Sequence, residues 1–387
     1  MSRILIVVPP LVGHVNPTVP LGVELAARGN HVAWAGLPEV VDRLLPQGAN
    51  FVPVTGGWDR VAYGEIQDRS RGLRGAAALK FLWQDFLVPL ARATAADVER
   101  AIDDFHPDLL VIDQQAVGAA AVARRRALPW VTSATTSAEL TNPLAELPTV
   151  DAWVRQQLCE LQLDVGVDPA RAALGDLRFS EHLVLAFSTQ ELAGTPAVTA
   201  SDRVRFVGPS LVARPETTPF AWDWIDASVP LVLVSLGTVN AEVGGRFYGA
   251  AVDALAQLPV QAVLVAPPDV IGARTPHERI LVAERVPQLA LLQRCRAVVC
   301  HGGHNTVCEA LAQGLPLVLA PIRDDQPIVA EQVVRAGAGL RVRFARVRAP
   351  ELAEAVERVL TVPSFREGAT RIAASFAAAG GAAAAAA

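Results

Sequence analysis

Lysine is almost missing from this chain: Lys80 is the only one in 387 residues. No G-K-[ST] phosphate loop is therefore possible, and Schiff-base chemistry has a single poor candidate. Cysteine is scarce as well, with Cys159, Cys295, Cys300 and Cys308 and no C-x-x-C spacing. Zinc and disulfide frameworks are not expected, and the three cysteines in 295–308 read as small core residues. Basic charge is not in excess. The formal net charge of −5 provides no field for nucleic acid or an anionic lipid surface. No apolar run exceeds strand length, so no membrane span is expected. Met-Ser-Arg runs straight into Ile4–Val8, too short and wrongly continued for a signal peptide, which leads to a cytoplasmic expectation. The nucleophile-elbow and zincin motifs G-x-S-x-G and H-E-x-x-H are absent too.

What is present is apolar residue, 51% of the chain against 19% charged, enough for large cores in two domains of ordinary size. One stretch organises the rest: A-V-V-C-H-G-G-H-N-T-V-C-E-A-L-A-Q-G-L-P-L-V-L-A-P-I-R-D-D-Q, residues 297–326. Ala297–Cys300 reads as a buried strand, and His301-Gly302-Gly303 as a tight turn. A helix starts near Asn305 and Thr306 and runs to Gly314, and Leu315–Ala320 is a second strand. Such a strand–turn–helix leaves backbone N–H groups at the positive end of a helix, a ready site for phosphate. His301 and Thr306 add side-chain donors. Glu309, about one turn deeper, suits ribose hydroxyls, and Asp325 with Gln326 suits a polyhydroxylated group. Phosphate, ribose and sugar binders in that order describe a nucleotide-sugar pocket.

Elsewhere the pattern alternates strand and helix. Residues 3–9 form the opening strand. In Gly13-His14-Val15-Asn16-Pro17, Asn16 suits an N-cap and Pro17 the first helical position. His14 then lies on the connection beyond the first strand, the edge where open α/β sheets keep ligands. No G-x-G-x-x-G stands there, which disfavours an NAD-dependent oxidoreductase. Asp113 closes a buried strand beginning at Pro107. A carboxylate there needs a partner, and His14 is the natural one. The irregular stretch 55–91 carries Trp58, Trp83 and Phe86, either packed inward or forming a lip over an apolar acceptor pocket. The hydroxyls of residues 132–137, Thr135 among them, either reach a bound sugar or cap the next helix. Residues 213–221 (A-R-P-E-T-T-P-F-A) are a linker, after which Leu231–Thr238 restarts the strand-loop-helix scheme with Gly237 and Thr238 in its first loop.

The string H-G-G-x-N-T-x-x-E-A-L, then G-L-P-L-V-L-A-P and D-Q, resembles the donor signature of the inverting GT-B glycosyltransferases. That superfamily includes bacterial macrolide and other natural-product glycosyltransferases, and the resemblance covers essentially the whole chain. It implies an α/β GT-B fold, two Rossmann-like domains facing one another across a cleft. Residues 1–212 would bind the acceptor and 222–363 the nucleotide sugar. Residues 364–387 would form a helix and an Ala/Gly tail, with a return to the first domain left open. His14, in G-H-x-N-P, resembles the general base, and Asp113 the carboxylate that orients it. His301, Thr306, Thr238 and the backbone of Gly302 and Gly303 resemble the diphosphate site, with Asn305 inside the same motif. Asp325 and Gln326 resemble the sugar-binding pair. The resemblance implies a nucleotide sugar and a small-molecule acceptor as partners, with no metal, no separate cofactor and no nucleic acid.

Two departures stand out. The family's base-stacking tryptophan before V-P-Q is replaced here by Arg285, followed by Val286 and Gln288; a planar guanidinium also stacks on a base. The chain is short for the family, which suggests trimmed acceptor loops. Glu309 tilts the donor towards UDP over TDP. The alternatives are a GT-B partner that binds without turnover, and another GT-B activity such as a nucleotide-sugar epimerase or lipid-carrier transferase. Acceptor, sugar, base and oligomeric state stay open.

Overall fold

The structure, a computed structural model, describes residues 1–387 apart from 174–175, 198–200, 212–217, 238–243 and 272–276. Thr238 and residues 213–217 of the expected linker fall outside the described residues. The chain divides into two units, each treated by itself. One comprises Met1–Gln190, Thr195–Leu211 and Ala379–Ala387; the other comprises Glu191–Gly194 and Val212–Ala378.

Arg-Ile-Leu-Ile-Val opens the first unit as strand β1 (Arg3–Val7). Its residues are apolar on both faces because both faces are covered. Leu5 and Val7 enter one core, while Ile4, Ile6 and Val8 enter another on the opposite side of the sheet. A continuous apolar run is what a parallel strand buried on both faces requires, and each side chain so buried contributes roughly 1.5–3 kcal/mol. The other strands are β2 (His31–Gly36), β3 (Asn50–Pro53), β4 (Leu109–Asp113), β5 (Trp130–Ala134), β6 (Leu183–Ala186) and β7 (Val204–Phe206). They pair in the order β3-β2-β1-β4-β5-β6-β7, all parallel. The order reverses beside β1, so the connections leaving β1 and β4 diverge at one edge. That is the switch point at which such sheets bind ligands.

The second unit repeats the plan with β8 (Leu231–Ser235), β9 (Gln261–Val265), β10 (Ile280–Ala283), β11 (Cys295–Cys300), β12 (Leu317–Leu319) and β13 (Gly339–Arg341). Its order is β10-β9-β8-β11-β12-β13, and its switch point lies between β8 and β11. Gly237 follows β8 and His301 follows β11, so the two meet there for the same reason that the loops after β1 and β4 do.

Two local expectations are revised. Asn16 is not an N-cap: a one-turn helix (Val12–Val15) starts earlier, and Asn16 already has helical φ and ψ of −50° and −46°. The long helix Thr18–Ala27 follows with Pro17 at its N-cap. Asn16 instead closes the short helix as its C-cap, its N–H donating to the Val12 carbonyl. The closing Ala/Gly run, silent in the sequence, has a structural role. Beyond the helix Pro363–Ala379, a short helix Gly381–Ala385 docks in the first unit. Its Gly381 N–H donates to the Val207 carbonyl at 2.6 Å, and Arg28 Nη2 donates to the Ala383 carbonyl at 2.8 Å. Among the described residues, no helix is long and apolar enough to cross a membrane.

Candidate active site

The one-turn helix after β1 presents His14, and the last residue of β4 is Asp113. His14 Nδ1 and Asp113 Oδ1 are 2.9 Å apart, with side-chain exposures of 14% and 0%. A carboxylate this buried needs several donors. Thr135 Oγ1 donates to Asp113 Oδ2 at 2.8 Å and lies 2.8 Å from His14 Nδ1; the Gln115 N–H donates to Asp113 Oδ1 at 2.8 Å. Thr135 sits just beyond β5, next to β4 in the sheet. It therefore joins the His–Asp pair and is not a helix cap. With the Nδ1 proton directed at Asp113, the neutral imidazole carries its lone pair on Nε2.

Beside this triad lies a buried ionic cluster that sequence reasoning missed. Arg178 Nε donates to Asp176 Oδ2 at 2.8 Å, and Arg178 Nη1 approaches Glu139 Oε2 at 3.5 Å. Burial pushes the Glu139 carboxyl up, against the pull of Arg178; His14 and the Gln115 side-chain amide also lie within its electrostatic reach. Arg178 and Glu139 are 39 positions apart, and neither belongs to a motif, so nothing in the sequence paired them.

The aromatic candidates lie mostly inside. Trp83 and Phe86 are 2% and 4% exposed and belong to the core under the first sheet, with Trp58 packed against it. The Trp58 and Phe86 rings are 6.1 Å apart, and Arg178 lies 5.7 Å over the Trp83 ring.

In the second unit His301 is buried immediately after β11. Its imidazole fills the space beside two glycines: a β-carbon on Gly237 would lie 2.8 Å from its Cε1, and one on Gly303 2.4 Å from its Nε2. Burial pushes His301 down to about 4, although the Asp325 carboxylate and a Ser235 backbone bond pull the other way. The ring is therefore neutral at pH 7, and its buried Nδ1 has no hydrogen-bond partner. Gly302 takes a φ of +85°, the left-handed turn that glycine allows. Gly303 is the N-cap of the helix His304–Ala312 and brings no capping side chain to the first-turn amides. Asn305 and Thr306 lie half-buried in that turn. One turn on, buried Glu309 accepts from Gln288 Nε2 at 2.6 Å. Asp325 is the N-cap of the helix Gln326–Arg335. Gln326 Oε1 pins the loop before it, accepting from the Ile322 and Arg323 N–H groups at 2.9 and 3.2 Å. Arg285 is exposed and Val286 half-buried. All four cysteines are free thiols, and burial pushes Cys295 and Cys300 up to about 12, consistent with inert core residues.

Two Rossmann-like sheets, one carrying a His–Asp–Thr triad and the other a Gly-flanked helix start with Gln and Glu behind it, define a GT-B glycosyltransferase. Residues 204–376 match the UDP-glucoronosyl and UDP-glucosyl transferase family. The chain is similar along its length to 4'-demethylrebeccamycin synthase of Lentzea aerocolonigenes, 30% identical over 405 residues, 96% of this chain and 94% of that one. It is also 27% identical to the demethyllactenocin mycarosyltransferase of Streptomyces fradiae, over 100% of this chain and 85% of that one. Among solved structures, the glycotransferase of kitacinnamycin superposes with a TM-score of 0.79 at 26% identity, covering 100% of this chain and 97% of that one. The calicheamicin glycosyltransferase CalG4 gives 0.76 at 26% identity, covering 100% and 96%. This chain belongs to the UDP-glucoronosyl and UDP-glucosyl transferase family and is a glycosyltransferase.

Proposed function

We propose that the chain is an inverting O-glycosyltransferase that moves a hexose from a nucleoside-diphosphate sugar to a hydroxyl of a small, largely apolar natural product. The observation carrying this reading is the His14–Asp113–Thr135 constellation, an imidazole whose Nδ1 lies 2.9 Å from a fully buried carboxylate. In this reading Nε2 of His14 takes the proton of the acceptor hydroxyl, and Asp113 stabilises the imidazolium that forms. The acceptor oxygen forms its bond to the anomeric carbon as the bond from that carbon to the diphosphate oxygen breaks, with inversion. The departing diphosphate, whose charge grows, would meet the first-turn amides after Gly303, with Thr306 and His301. Glu309 and Gln288 would hold the ribose, Arg285 and Val286 the base, and Asp325 and Gln326 the sugar. We assign no metal to leaving-group departure. The natural-product acceptor is supported by the relatives, which are named for making 4'-demethylrebeccamycin and for transferring a mycarosyl group to demethyllactenocin.

The test is nucleoside-diphosphate release from UDP-glucose and TDP-glucose over a panel of phenolic and macrolide acceptors, with and without EDTA, for the wild type and His14→Ala. Acceptor-dependent, EDTA-resistant release that collapses in the variant is expected. Undiminished turnover by His14→Ala would overturn the base. Donor binding without turnover on any acceptor would instead support a binding partner of the same fold.

A further inference from the structure

At the C-terminal edge of the first sheet lies a cavity of about 40 Å³. Val7, Leu37, Val54, Leu87 and Ala91 are among its apolar walls, and Thr94 and Gln115 are its only polar side chains. Thr94 Oγ1 donates its proton to the Leu90 carbonyl at 2.7 Å. Gln115 is different: its Oε1 is buried and has no hydrogen-bond partner. Its backbone N–H donates to Asp113 Oδ1 at 2.8 Å. Buried carbonyls left this way in native proteins are completed by water or by a ligand.

The size decides what kind of ligand group fits. A water-sized group needs roughly 10–15 Å³ of such space, so the cavity takes about three non-hydrogen atoms. Whole small-molecule sites occupy roughly 300–1,000 Å³. The cavity is a subsite, and its residues directly follow the catalytic Asp113 and the strand leading to His14. We propose that it receives a short arm of the acceptor ending in O–H, of hydroxymethyl size, and that the Gln115 carbonyl accepts the hydrogen of that arm. The inference rests on reading the first unit as the acceptor side. It makes Gln115 a specificity residue: a site holding an otherwise unpartnered acceptor discriminates strongly against analogues lacking the donor.

The probes are 6-(hydroxymethyl)-2-naphthol and 6-methyl-2-naphthol, whose binding to the whole protein is read by quenching of naphthol fluorescence. The wild type should bind the hydroxymethyl compound at least about tenfold more tightly. Gln115→Met, which keeps the backbone bond to Asp113, should bring the two affinities within about twofold, with a thermal melt confirming folding. Ala116→Leu, which fills the cavity from a half-buried position, should weaken both compounds together. An equal preference in wild type and Gln115→Met, no binding of either naphthol to the wild type, or unchanged binding in Ala116→Leu would each overturn the proposal. Turnover with UDP-glucose and TDP-glucose is scored separately. Preferential binding without nucleoside-diphosphate release sinks the proposed O-transfer from these donors and keeps the subsite; release without the preference sinks the subsite alone.

Discussion

A β-carbon placed on Gly303 would lie 2.4 Å from Nε2 of His301, so the imidazole occupies the space that a side chain at 303 would need. The backbone at Gly303, with φ −62° and ψ 133°, is open to any L-residue. Glycine is required there by the neighbouring ring and not by its own conformation. Gly303→Ala should therefore displace His301 without forbidding the turn. We expect nucleoside-diphosphate affinity to fall about tenfold or more in calorimetry, with a stability loss of about 1–3 kcal/mol from overpacking. Gly237→Ala should be worse, because there the same collision coincides with a φ of +73°.

Asp113→Asn keeps the shape of the triad and removes its charge. The amide can present N–H to His14 Nδ1, which moves the imidazole proton to Nε2 and blocks its role as base. A loss in kcat of about 10²–10⁴ is expected with donor KM little changed. Thr135→Val removes one donor to Asp113 and should cost less. Equal losses in kcat and donor affinity for Asp113→Asn would point to a structural role instead.

His301 predicts a pH dependence of stability. Its pKa is held at about 4 in the folded chain against 6.5 when unfolded. A lowered folded value favours the neutral form, so the contribution is complete above pH 6.5 and is lost as pH falls towards 4. The loss amounts to up to about 3 kcal/mol. Urea midpoints of wild type and His301→Gln should converge over this interval, and parallel curves would contradict the assignment.

Glu309 and Gln288 form a 2.6 Å hydrogen bond within the proposed ribose site. Glu309→Ala removes the acceptor for ribose hydroxyls, so UDP should lose more affinity than TDP, whose deoxyribose has one hydroxyl fewer. A ratio of dissociation constants unchanged by the substitution would move the ribose elsewhere.

Deleting residues 379–387 removes the Gly381–Val207 and Arg28–Ala383 hydrogen bonds, together with the packing of Ala385 and Ala386 on the first unit's core. At about 0.5–1.5 kcal/mol per bond, a loss of about 1–3 kcal/mol is expected. Hydrogen exchange should show it around Val207 and Arg28, with the second unit unaffected.

The residues differ in how they could be read. Leu231–Ser235 and Ala297–Cys300 were legible because parallel strands covered on both faces are unbroken apolar runs. The turn and helix His301–Ala312 were legible because glycines and a helical pattern directly follow an apolar strand. The edge strands Ile280–Ala283 and Gly339–Arg341 were not, being too short to show a period. Trp83 and Phe86 could be given two roles because an aromatic side chain suits a core and a pocket equally; only packing put them inside.

The sequence by itself determined that two α/β units exist, that a Gly-flanked turn follows one strand, and that His14 lies beyond the first strand while Asp113 ends another. All of that depends on neighbours along the chain. The tertiary structure decided that β1 and β4 are adjacent, so that residues 99 positions apart meet at 2.9 Å. It also drew Thr135 into the triad, tied the Gln115 backbone to Asp113, and pressed His301 against Gly237 and Gly303. Those contacts follow from strand order and close packing, which no local pattern of residues encodes.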